Sequence, residues 1–363
     1  MDAEDRPAAP SSPNTETPAV KLRSPLRRWW PIAAVLAVVV IAGGLLVAFT
    51  RDSSDALVVY NGRSHYGGEE AFAAFTRETG IKVELFGGDA QTLHDRLLSE
   101  GDDTPADLLV TVDGANLWRA KDEGLLMPVQ SATIDENIPA SLRDPEGYWT
   151  AVSTRVRTPI VSTDRVPEGA VTSYEDLGKP EWKGRLCLRT ASSIYNQSFV
   201  ADMIAKRGEA ATRALLDSWM DNDPQILGND IEVIDAVASG SCDVGLVNHY
   251  YLARELTDDP NLAVAPAWPD QTTTGAHANL SGVGVVASTD RQEDAIRLME
   301  FLTTYEAQQS MAELGEFPAN PTVEANPVAR PWQQIVKIEP MDVAGAGENA
   351  AAAVALMQSV GWE

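Results

Sequence analysis

Short apolar runs with strand character alternate with segments of helical spacing along most of this chain, and that order constrains the fold more than any other feature. Residues 57–60 (Leu-Val-Val-Tyr) read as a strand. Residues 67–79 carry Ala71, Phe72 and Phe75 at helical spacing, and Gly80 ends the helix. Residues 81–85 alternate as a second strand, 93–98 are helical, 107–112 form an apolar strand, and 116–123 form a helix closed by Gly124. Strand–helix alternation predicts an α/β fold with mostly parallel sheets.

The pattern restarts after Trp149. Residues 151–162 are extended and pass from one α/β unit to the next. Strands at 184–188 and 243–247 and helices at 198–207, 209–220, 231–238 and 249–256 follow. A second extended stretch, 262–267, leads back towards a strand at 283–287, and closing helices include 294–303 and 350–360. Two α/β units joined by two crossings have the layout of a hinged, two-lobed binding protein. The expected organisation is a first lobe from 57–153 plus about 272–320, and a second from 154–271 plus about 321–363. No internal repeat is evident.

Ahead of these units, residues 1–28 are polar and Pro-rich at first and should be disordered. They close on a basic cluster of Lys21, Arg23, Arg27 and Arg28. Residues 31–49 then carry no charge, close to the ~20 apolar residues that span a bilayer as a helix. A transmembrane anchor over 29–50 is expected, with the basic flank in the cytoplasm, Trp29 and Trp30 at the interface, 51–56 as a linker and everything beyond outside the cell. A cleaved signal peptide is the rival reading, but the apolar run is long for one and lacks a small-x-small site directly after it. No cysteine follows the run, which excludes a lipid-modified N-terminus.

The formal net charge is -25 over 363 residues, which argues against a broad nucleic-acid or anionic-membrane surface. It suits a cationic ligand, or simple solubility. No G-x-S-x-G, H-E-x-x-H or phosphate-binding loop occurs, so no enzyme class is indicated.

Three segments carry chemistry. His65-Tyr66 follows the first strand; Tyr195 follows the strand containing Cys187; His249-Tyr250-Tyr251 follows the 243–247 strand and opens a helix. In open α/β sheets ligands bind beyond the carboxyl ends of strands, and a helix N-terminus favours negative charge. Phenolate is a hard anionic oxygen donor suited to a hard cation. Calcium or magnesium would call for several carboxylates, and zinc for Cys or clustered His. A tyrosine at a helix start is also ordinary packing, so on chemistry alone both readings stand. Cys187 and Cys242 each read as lying in a strand of the second unit, and in an oxidising compartment are expected to form a disulfide worth about 4 kcal/mol.

Read together, "SSIYNQSFVADMIA", "SGSCDVGLVNHYYLARE", "TTGAHANLSGVGVVAS", "ADLLVTVDGANLWRA" and "GENAAAAVALMQSVGWE" resemble the tyrosine-rich ferric-iron-binding periplasmic proteins of bacterial iron ABC importers. The resemblance runs from about residue 57 to 362. It implies a transferrin-like, two-lobed Venus flytrap fold and a monomer that is no enzyme, delivering Fe(III) to an ABC permease in the cytoplasmic membrane. It also implies Tyr66, Tyr195, Tyr250 and Tyr251 as metal ligands, with His65 as a fifth. His249 is expected to face away, and Arg63 or Arg189 to offset the single negative charge that four phenolates leave on a trivalent ion. The rival solutes are a polyamine, thiamine or an oxyanion.

Overall fold

The computed structural model describes residues 56–63 and 68–363; the apolar 31–49 run, His65 and Tyr66 lie outside the described residues. The elements in order are β1 (Ala56–Asn61), α1 (Glu69–Thr79), β2 (Lys82–Gly87), α2 (Ala90–Glu100), β3 (Leu108–Thr111), α3 (Gly114–Asp122), β4 (Leu126–Met127), α4 (Ala132–Asn137) and β5 (Thr150–Ser162). Next come β6 (Leu186–Arg189), α5 (Ile194–Arg207), α6 (Glu209–Met220), β7 (Gln225–Leu227), α7 (Asp230–Ser239), β8 (Val244–Asn248), α8 (His249–Asp258) and β9 (Val264–Pro266). The chain closes with β10 (Ala278–Val286), α9 (Gln292–Phe301), α10 (Tyr305–Ala312), β11 (Phe317–Pro318), α11 (Arg330–Ile335), α12 (Val343–Glu348) and α13 (Ala350–Ser359).

The strands join in the order β2-β1-β3-β10-β5-β8-β6-β7. β1 is parallel to β2 and β3, and β6 is parallel to β7 and β8. β10 and β5 run antiparallel to their neighbours. The sheet is therefore mixed rather than mostly parallel. The reason is the crossings: a strand arriving from the other half enters against the local βα direction. β5 performs one crossing. Its 150–156 stretch pairs with β10, and its 157–161 stretch with β8.

Alternate residues of β1 and β3 face opposite ways, as strand geometry requires. Leu57, Val59, Leu108 and Val110 meet Phe72, Phe75, Leu298 and Met311 on one face, while Tyr60 and Leu109 meet Leu93, Leu97 and Leu117 on the other. The second half repeats this sandwich. Phe199, Leu216, Trp219 and Met357 cover one face, and Val233, Ile234, Val237 and Leu252 the other. α12 lies between the halves: Gly347 sits against Trp118 of α3, and Gly345 near Ala205 of α5.

Cys187 and Cys242 form a disulfide with Cα atoms 5.9 Å apart. Cys187 is in β6, but Cys242 lies in the turn between α7 and β8 rather than in a strand. The bond closes over α5, α6, β7 and α7. Among the described residues no helix is long and apolar enough to cross a membrane.

Candidate metal centre

α5 begins at Ile194, four residues earlier than expected, because the Ser193 hydroxyl accepts the Tyr195 N–H at 3.3 Å and caps the first turn. Tyr195 is thus the second residue of α5, and Tyr250 and Tyr251 are the second and third of α8. Both helices start at the carboxyl ends of parallel strands, so two positive dipole ends meet the phenols. The hydroxyls of Tyr250 and Tyr195 are 3.1 Å apart and hydrogen-bonded. The Tyr251 ring packs on that of Tyr250 with centroids 4.4 Å apart. All three tyrosines are buried.

A polar hub fixes the two helix starts. Asp230, at the head of α7, pairs with Arg157 of β5, with Arg189 at 2.6 Å, and accepts the Asn248 N–H at 2.9 Å. Arg157 also donates to Asn196 Oδ1 at 2.7 Å, and Asn196 Nδ2 donates to the Arg189 carbonyl at 2.9 Å. Asn196 follows Tyr195, and Asn248 stands two residues before Tyr250. One buried ion pair therefore sets both loops.

Guanidiniums surround the phenols. Arg155 lies 5.2 Å and Arg189 5.3 Å from the centre of the Tyr195 ring, and Arg254 lies 5.0 Å from that of Tyr250. Arg63, at the end of the described β1 segment, interacts electrostatically with Tyr250 and Tyr195. It makes a two-pronged pair with Glu316 at 3.0 and 3.2 Å. Burial alone would lift the Glu316 carboxyl, but Arg63, then Arg155 and Ser153, outweigh it and hold its pKa below the ordinary value. Arg155 is buried; its Nη1 donates to Ser281 at 2.9 Å, while its Nη2 has no hydrogen-bond partner among the described residues. This cationic shell lowers the free-energy cost of phenolate in a dry site.

His249 is turned into the core. Its Nδ1 accepts the Val156 N–H at 3.0 Å and its ring packs 4.0 Å from that of Phe317. Burial drops its pKa to about 3, so the ring is neutral. Among the described residues no three His, Cys, Asp or Glu side chains converge as a metal site. Two oxygens held about 2.0–2.2 Å from one ion at right angles lie about 3 Å apart, which is the separation of Tyr195 and Tyr250. The donor set therefore fits a hard cation. A cleft of about 440 Å³ opens alongside, between α3 and α5 at Ile194 and Gln197, but none of the described tyrosines lines it.

Arg63 and Arg189, the two arginines expected to balance charge, both stand beside the phenols, and each is also salt-bridged. Sequence reasoning missed Arg155, Arg254 and Glu316. Arg254 was legible, since it lies one helical turn beyond Tyr250; Arg155 and Glu316 reach the site only through the crossing strand and a distant loop.

Residues 103–338 match the family model described as bacterial extracellular solute-binding protein. The iron uptake protein A1 of Synechocystis is 37% identical over 327 residues, covering 87% of this chain and 90% of that protein. A solved structure of the Trichodesmium protein IdiA or FutA, in complex with iron and citrate, is 37% identical with a TM-score of 0.78, covering 85% of this chain and all of that one. The ferric binding protein of Campylobacter jejuni is 31% identical with a TM-score of 0.78, over 85% of this chain and 100% of its own.

Proposed function

Because the chain belongs to the bacterial extracellular solute-binding proteins, we propose that its solute is ferric iron, held by tyrosine phenolates and passed to an ABC importer. It works outside the cytoplasm as a transport protein. The ligand set read here is Tyr66, Tyr195, Tyr250 and Tyr251, with His65 as a fifth donor. The observation that carries this reading is the 3.1 Å approach of the Tyr195 and Tyr250 hydroxyls at two helix N-termini, inside a shell of arginines. Four phenolates on a trivalent ion leave one negative charge, which that shell offsets. A polyamine would meet the arginines with like charge, so the same shell disfavours it.

The test is direct. Tyr195→Phe and Tyr250→Phe each remove one oxygen and keep the ring. Each variant loses the visible phenolate-to-iron band and at least about tenfold in iron affinity, of the order lost when a metal's ligand environment is disturbed. Full colour and full iron in both variants would reject the phenolate site.

The 31–49 run fits an uncleaved anchor that tethers the binding region to the outer face of the cytoplasmic membrane, beside the permease, as a monomer with two lobes bounded as the sequence suggests. Cell fractionation checks this: the mature protein sediments with membranes and retains residues 29–50. A soluble form starting near Leu57 would refute the anchor.

A further inference from the structure

Asp113 stands at the junction of β3 and α3, 1% exposed, and no basic side chain pairs with it among the described residues. Three neutral donors hold its carboxylate. The Asn116 N–H caps α3 at 3.1 Å, Asn279 Nδ2 of β10 donates at 2.8 Å, and the Ser198 hydroxyl of α5 donates from the second half of the molecule. Asn279 answers through its carbonyl, which accepts the Gly114 N–H at 3.1 Å. A buried carboxylate without a counter-ion is costly unless its lone pairs are filled, and here the filling comes from three separate elements.

The location gives this knot its consequence. Tyr195, Ser198 and Asp202 recur at i, i+3 and i+7 on α5, so one helix face carries all three. One turn beyond Ser198, the Asp202 carboxylate meets His277 Nδ1 at 2.7 Å, two residues before Asn279. The face that presents Tyr195 is thus tied at Ser198 to Asp113 of the first half, and one turn on at Asp202 to the stretch that leads into β10. A rotation of the halves about their crossings cannot move α5 without loading these bonds.

We infer that Asp113 is a positioning residue for iron: its bond to Ser198 sets where Tyr195 stands relative to the first half and so governs how long iron is retained. The inference rests on the reading of Tyr195 as a ligand. It requires that breaking the knot leave the ligand set, and hence the colour, in place while iron escapes faster.

The experiment uses the full chain loaded with ferric iron and follows decay of the visible band after excess EDTA. Asp113→Asn turns an acceptor into an amide that faces the Asn279 amide donor; Ser198→Ala removes the tie between Asp113 and α5, together with the bond of the same hydroxyl to the Ile194 carbonyl at 2.7 Å, and spares the α3 cap. Both variants are expected to keep the parent band position and to release iron about tenfold faster, the usual scale for groups that orient metal ligands; each leaves a buried polar group without its partner, so the apo unfolding temperature falls as well. The exchange variant D113N/N279D trades carboxylate and amide, restores complementary donors and acceptors, and slows release again. Parent-rate release from S198A and D113N, or an exchange variant as fast as D113N, overturns the inference. Tyr195→Phe is run in parallel: if it keeps band and iron, the ligand assignment fails, whereas if it bleaches while D113N behaves as the parent, only the positioning role fails.

Discussion

At the scale of single residues, buried charge is tolerated here only where it is answered. Asp202 shows the rule with a measurable consequence. Burial pushes its carboxyl up, but His277 and Lys206 outweigh burial and hold the pKa below its ordinary value of 3.8. A depressed carboxyl contributes stability that is present above that ordinary value and is lost as pH falls below it. Asp202→Asn removes this contribution and leaves His277 and Lys206 without their shared anion, a change worth about 3 kcal/mol for a buried pair. Denaturant titrations of the apo protein at neutral pH should show that loss, and the gap between parent and variant should close as pH drops below about 4. A gap that persists unchanged into acid would mean that Asp202 stabilises by packing alone. His249 makes the contrasting case: it stands beside Tyr250 in sequence, yet it fills a backbone N–H and packs on Phe317. Neighbours in sequence at a helix start can point to different surroundings, since successive side chains diverge by about 100° around the axis.

At the scale of elements, what was legible follows from local period. The β1, β3 and β8 strands and the α1, α3 and α8 helices are found close to where hydrophobic spacing put them, because their burial pattern repeats within a few residues. β7 and β11 escaped because two or three residues carry no period, and α12 because Val-Ala-Gly-Ala-Gly-Glu reads as a loop. Tertiary contact overrides propensity there. The glycines let α12 lie against both α3 and α5, and a Cβ on Gly347 would come 2.2 Å from the Trp118 ring. Gly347→Ala should therefore cost about 1–3 kcal/mol by overpacking, although alanine is the better helix former. Thermal unfolding decides the sign: a variant more stable than the parent would show that propensity, and not the Trp118 contact, governs this helix. The start of α5 is a third such case, since Ser-Ser-Ile-Tyr-Asn-Gln has no helical period and its helix is secured by a side-chain cap and by Asn196 in the arginine hub.

At the scale of the whole molecule, two α/β halves share one strand, and the candidate ligands divide unevenly between them. Tyr195, Tyr250 and Tyr251 belong to helices of the second half, while Tyr66 follows β1 of the first. The sequence pattern allowed the β5 crossing to be anticipated, but not the arginine hub, the Arg63–Glu316 pair or the Asp113 knot, each of which joins residues far apart in the chain. This division predicts an order of events. The second-half tyrosines are already gathered by the hub, so they bind iron first, and Tyr66 joins as the halves close. Closure then draws its free energy from the iron–Tyr66 bond, since a ligand shifts an equilibrium only by its differential affinity for the two states. Tyr66→Phe should consequently bind iron and keep a visible band from the remaining phenolates, yet show no contraction on loading. Its iron-dependent rise in unfolding temperature should shrink, because stabilisation by a ligand follows RT ln(1 + [L]/Kd) and falls by about 1.4 kcal/mol for each tenfold loss of affinity. Tyr250→Phe should instead lose band and contraction together, since it breaks the half-site that must form first. Small-angle scattering with and without ferric iron, paired with absorbance on the same samples, separates the two variants. If Tyr66→Phe contracts as the parent does, closure is driven from the second half alone and the proposed order is wrong.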